Sequence, residues 1–206
     1  MKAKVVLALS VIIVVVFGCQ SQQFHDDREN RHGQTEYDTL LIQNDTFIYV
    51  SFVVDAGVIL HWGIDGVFHH TSTDTLYYAK ERFRELQSSK LGFVITDGCG
   101  TACEYVYTAP WDSNIPGRLL LSPVFVDIEN GLIVHQNSGQ YLAEVYNMIT
   151  GIEMVIEAAY DTSIRPQSSV IKECYLLSDS ILKLSWVNEL GKNTTRRFSI
   201  RKVLDP

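Results

Sequence analysis

The chain has 206 residues, with 17 Lys plus Arg against 24 Asp plus Glu and a formal net charge of −7. Its first eighteen residues hold two lysines and no acids, so the remainder carries 15 basic against 24 acidic residues, a net charge of −9. That balance argues against nucleic acid as a partner, because phosphate binding rests on Lys and Arg. An apolar content of 46% excludes a disordered chain.

The first nineteen residues read MKAKVVLALSVIIVVVFGC. Lys2 and Lys4 give a positive start, and twelve of the thirteen residues from 5 to 17 are apolar, Ser10 being the exception. The run falls short of the roughly 20 residues of a permanent membrane span and has the layout of an export signal. Val16, Gly18 and Cys19 match the motif of the bacterial lipoprotein class, which this segment resembles. Phe17 stands where that motif usually holds Ala, Ser or Thr. The resemblance implies a signal peptide over 1–18 and a lipid-modified Cys19 at the new amino terminus. Several acyl chains there would anchor the protein stably in a bilayer, where one chain would not. Gln20 follows the cysteine rather than aspartate, and the resemblance then implies the outer rather than the inner membrane. Residues 19–37 are polar and without hydrophobic periodicity, the pattern of a flexible tether.

From residue 38 to 206 the chain reads as one β-rich domain, a length that buries roughly 70% of the surface of its unfolded chain. Apolar and β-branched runs cover 46–54, 57–62, 91–96, 103–108, 119–128, 131–135, 140–147, 152–157, 169–176, 180–187 and 194–203. Asp65-Gly66, Glu129-Asn130-Gly131, Thr150-Gly151 and Leu190-Gly191 punctuate them as turns. Such spacing predicts an all-β fold, mainly an antiparallel meander, sandwich or partial barrel, with a propeller-like or stacked-sheet arrangement as the lesser alternative. In 194–203, Phe198 and Ile200 are expected inward and Arg197 and Arg201 outward. Leu76, Ala79, Phe83 and Leu86 recur at helical spacing behind Asp74, predicting one short helix near 75–87.

Chemistry-bearing signals are few. Cys99 and Cys103 lie in GCGTACEYVY, a stretch similar to segments of uncharacterised exported proteins of Bacteroidetes, a resemblance that implies no function. In an oxidising compartment a Cys99–Cys103 disulfide is expected. Redox pairs usually have two intervening residues rather than three, and zinc would need further donors at finger spacing. Cys174 is left either free in a strand or paired with one of the two. His61, His69 and His70 cluster in sequence with Asp65, but neighbouring strand residues face opposite ways, so 69 and 70 cannot both serve one site. No signature of a metalloprotease, a serine hydrolase or a phosphate-binding loop is present. Catalysis is therefore not the expectation, and no cofactor or metal is expected.

Trp62, Trp111, Tyr105 and Tyr107 are the candidate ligand contacts, with Trp111 expected at the surface of the loop PWDSNIP. The sequence thus reads as an envelope lipoprotein, bound to the lipid bilayer through Cys19, whose β domain binds a glycan, a peptide or another envelope protein. The alternatives are a small envelope hydrolase or metalloenzyme using His61, His69 or His70, and an inhibitor or structural lipoprotein.

Overall fold

Side-chain alternation along the strands decides how they pack. The computed structural model describes residues 37–53, 57–76, 83–100, 103–111, 114–136, 141–164 and 170–204; the proposed signal, Cys19 and the tether up to residue 36 lie outside them, and Tyr37 is already part of the first strand. Sheet 1 contains β1 (Tyr37–Gln43), β2 (Thr46–Val53), β3 (Gly57–Ile64) and β4 (Phe68–Thr71). Sheet 2 contains β5 (Glu85–Ser88), β6 (Gly92–Gly100), β7 (Cys103–Pro110) and β8 (Arg118–Leu121). Sheet 3 contains β9 (Pro123–Asp127), β10 (Leu132–His135), β11 (Ala143–Asn147) and β12 (Glu153–Ile156). Sheet 4 contains β13 (Ile171–Ser178), β14 (Ile181–Val187) and β15 (Asn193–Ser199), followed by one helical turn, α1 (Arg201–Leu204). Each sheet is an antiparallel meander of strands consecutive in the chain. The all-β expectation is met, in the form of stacked sheets rather than a closed barrel.

Three apolar cores join the sheets in chain order. Ile48, Val50, Leu60 and Trp62 of sheet 1 pack on Phe93, Ile95, Tyr105 and Tyr107 of sheet 2. The opposite face of sheet 2, with Val94, Val106 and Leu120, packs on Ile133, Tyr146 and Met148 of sheet 3 and its turn. Leu132, Val134, Ala143 and Val145 then leave the other face of sheet 3 to meet Leu182, Leu184 and Trp186 of sheet 4. The burial patterns follow from this. In β3 and β14 buried residues alternate with partly exposed ones over most of the strand, whereas β10 and β11 are buried at every position. A strand covered on one face alternates, and one covered on both does not.

The hairpin turns hold the glycines the sequence places there. Gly131, at φ 66, takes a left-handed conformation that a side chain would strain, and a Cβ there would stand 2.9 Å from Ile149. In 194–203 the arginines face out and Ile200 is buried, as expected, but the strand stops at Ser199. The chain turns into α1 so that Val203 is buried in the core of sheets 3 and 4. Its carbonyl accepts hydrogen bonds from Asn147 Nδ2 at 3.2 Å and Thr150 Oγ1 at 3.3 Å.

The helix expected near 75–87 is corrected at both of its described ends. Leu76 exchanges two 2.9 Å backbone hydrogen bonds with Val58, and Glu85–Ser88 is strand β5, with Leu86 opposite Ile95. Residues 77–82 lie outside the described residues. The helical spacing of 76, 83 and 86 was overridden because the open edges of β3 and β6 offer backbone partners there.

Trp111 is also corrected. It is 4% exposed, its ring lies 5.3 Å from Phe93, and its Nε1 donates to Ser89 O at 2.8 Å. Trp111→Ala is therefore expected to destabilise the domain by about 3–5 kcal/mol, read as a lower urea midpoint. A midpoint equal to wild type would put the ring outside the core.

Candidate functional site

The four aromatic residues expected to contact a ligand are interior. Trp62, Tyr105 and Tyr107 are 1%, 3% and 0% exposed and pack with Trp111 between sheets 1 and 2. Trp62 Nε1 donates to Pro110 O at 3.1 Å, tying β3 to the end of β7. Burial pushes the phenols of Tyr105 and Tyr107 above the usual range, with Asp97 adding to the first and Asp74 to the second. None of the four presents a ring to solvent. Cys99 and Cys103 sit at the facing ends of β6 and β7, where Gly100 is in register with Cys103, but their side chains lie outside the described residues. Cys174 is a free thiol against the core of sheets 3 and 4, and burial pushes its pKa up to about 12, which makes it a poor nucleophile.

The histidines divide as strand geometry requires. His70 turns inward and stacks on Trp62, 5.4 Å between centroids and 18° between planes. His69 turns outward and lies 6.0 Å from His61. With Phe47 and Tyr49, these two cover the outer face of sheet 1. Phe47 and Tyr49 stack at 5.0 Å and 14°, and Tyr49 continues the stack onto His61 at 5.6 Å. His61 is held from both sides, Nε2 by Ser51 Oγ at 2.9 Å and Nδ1 by Thr71 Oγ1 at 3.2 Å.

Beside this stack lies a groove of about 510 Å³. Its floor is Phe47, Tyr49, Ile64 and His69, and the β1–β2 and β3–β4 turns form its walls. Ile42 and Val67 stand on those walls, each 72% exposed, with Asp45 and Asp65 beside them.

A second constellation is polar and enclosed. His135 on β10, Glu144 on β11 and Glu153 on β12 lie on the face of sheet 3 turned to sheet 2. His135 and Glu144 are direct cross-strand partners. The imidazole is 1% exposed, and its Nε2 lies 3.2 Å from Glu153 Oε1 and 3.7 Å from Glu144 Oε2. Arg118 on β8 donates to Glu153 Oε2 at 2.8 Å, with its guanidinium 4.8 Å above the Tyr146 ring. Burial lowers the pKa of His135, partly offset by Glu153, and so favours the neutral ring. Burial alone would raise Glu153, but the Arg118 bond and charge, with Glu144 and His135, outweigh it and hold the carboxyl below its usual range.

Sequence reasoning missed this cluster because its members are spread from 118 to 153 with no local motif. The available signal was a polar residue inside an apolar run, His135 in LIVH and Glu144 in AEVYN. A buried polar group is the informative exception in such a run.

The outer face of sheet 1 carries a pH signature. Burial, then the neighbouring His69, lowers the pKa of His61 below 6.5. The folded state then holds this proton less firmly than the unfolded chain does. The associated stability is present above 6.5 and is lost as pH falls through the folded midpoint. In NMR titrations the His61 midpoint is expected below 6.5, and His69→Ala is expected to move it upward. An unmoved midpoint in H69A would assign the whole shift to burial.

No protein-family model matches this chain, and no curated protein or solved structure matches it.

Proposed function

We propose that the protein is a lipid-anchored component of a bacterial envelope that captures a peptide or protein segment in the groove of sheet 1. The anchor rests on the sequence over 1–19, where a charged start and a short apolar run end at Gly18-Cys19. The observation that carries the binding reading is the groove itself, with Ile42 and Val67 exposed over a floor of Phe47, Tyr49 and His69.

Its chemistry favours a peptide over a glycan. Sugar recognition needs an open ring face, whereas the rings of Phe47 and Tyr49 lie face to face and offer their edges instead. Exposed aliphatic walls flanked by Asp45 and Asp65 suit an apolar side chain next to a basic one. The net charge of the chain acts in the same direction at longer range.

Two measurements test this. Peptides pairing Leu or Phe with Lys or Arg are expected to shift the NMR signals of Ile42, Phe47, Val67 and His69. Tyr49→Ala should weaken that binding roughly tenfold, with the domain still folded. Oligosaccharides shifting the same signals, or peptides shifting only others, would overturn the assignment. Cys19→Ala is expected to abolish incorporation of labelled fatty acid and to release the protein from membranes. Membrane retention without label in wild type would instead indicate an uncleaved signal anchor.

A further inference from the structure

We infer that His135, Glu144 and Glu153 form a binding site for a divalent transition-metal ion in the contact between sheets 2 and 3. The site is independent of the sheet 1 groove and shares no residue with it.

The donor geometry is the first support. One donor atom from each of the three residues lies within 4.8 Å of the other two. Atoms bound at 2.0–2.2 Å to a tetrahedral zinc ion stand about 3.3–3.6 Å apart. The distances from His135 Nε2, 3.2 and 3.7 Å, bracket that range. No chain rearrangement is needed to close the donors on an ion. They also project from adjacent strands of one sheet, a support stiffer than a loop.

The second support is a contact between like charges. One carboxylate oxygen of Glu144 and one of Glu153 lie within 4.8 Å of each other, beside a buried imidazole. Two carboxylates so placed require either a shared proton or a cation between them. Arg118 does not occupy that position. It approaches from the rim and holds Oε2 of Glu153, leaving Oε1 turned towards the imidazole. The Glu153 carboxylate accepts from His135 Nε2, so the neutral ring carries its proton there, and metal binding would transfer that proton to Nδ1, which no protein atom bonds, or release it to solvent.

The third support is the surroundings. The core of this inter-sheet contact is otherwise apolar, with Val94, Val106, Leu120, Ile133, Tyr146 and Met148. A buried ionic group is weak support for stability, and apolar replacements often serve as well. Its presence in an apolar contact calls for a role beyond stability. One imidazole and two carboxylates suit zinc, manganese or ferrous iron. The side chains of Arg118 and Glu153, 39% and 28% exposed, give solvent access at the rim.

The test is zinc chloride titrated into the chelator-treated full chain, with bound metal and thermal unfolding as readouts. Uptake of a zinc ion with a raised Tm is expected. Glu144→Gln and Glu153→Gln should each weaken uptake by at least about tenfold, with the β-type far-UV spectrum kept. Arg118→Gln is expected to retain or strengthen uptake, because it frees a Glu153 oxygen for the metal. Should E144Q fail to fold, E153Q carries the comparison, its side chain being partly exposed. Absence of saturable uptake by the folded wild-type chain overturns the assignment and leaves a proton-sharing ion-pair network. Uptake that survives both E144Q and E153Q also overturns it, moving the zinc to other histidines, of which His61 and His69 are a close pair.

Discussion

Along β6 and β7 successive side chains leave for opposite cores. Phe93, Ile95, Tyr105 and Tyr107 go to sheet 1, while Val94 and Val106 go to sheet 3. Much of the stack depends on that two-sided hairpin, because sheet 1 packs its core on one face of it and sheet 3 covers the other. A slip of one residue in its register would exchange the two faces and misfit both neighbours at once. Gly92 marks a tight point of the arrangement. A Cβ there would come within 2.2 Å of the Ala109 carbonyl oxygen and 2.5 Å of the Met148 terminal methyl. Glycine at the start of β6 is thus what lets β7 and the turn after β11 close in from either side.

The same constraint explains why the polar cluster is notable. A strand covered on both faces has no solvated side on which to place charge, so a polar side chain there must be satisfied between sheets. His135 and Glu144 sit in strands buried at every position. Arg118 reaches Glu153 from the neighbouring sheet while its guanidinium lies over Tyr146, so the ion pair also bridges sheets 2 and 3. The two candidate sites therefore differ in kind. The sheet 1 groove is an outer face, and the inter-sheet cluster is a compact constellation between two sheets that opens to solvent at its Arg118–Glu153 rim.

Much of the fold could be read from the residues, since β-branched runs and glycine turns are local signals. The inward and outward residues of β15 followed from alternation alone, and Gly66, Gly131, Gly151 and Gly191 all stand at left-handed turn positions. What could not be read depended on partners distant in sequence. Leu76 and Leu86 have helical spacing, yet Val58 and Ile95 offer them strand edges. Trp111 lies among polar loop residues, yet Phe93 and the Ser89 carbonyl take it inside. Phe47 and Tyr49 look like core residues of an apolar run, and only the position of sheet 1 at the end of the stack leaves them outside. The loss of alternation in β10 and β11 marks a sheet covered on both sides, a signal already present in the sequence of both strands.

Every described strand pairing joins neighbours in the chain, from β1–β2 through to β14–β15. Loop closures are correspondingly short, which lowers the entropic barrier that slows most all-β proteins. A chain delivered amino terminus first could complete each meander before the next emerged. The apolar face that awaits the following sheet would then be exposed only for the time taken to deliver some forty residues. Sheet 4 and α1 follow sheet 3 in the chain and cover its remaining face, so their arrival ends that exposure.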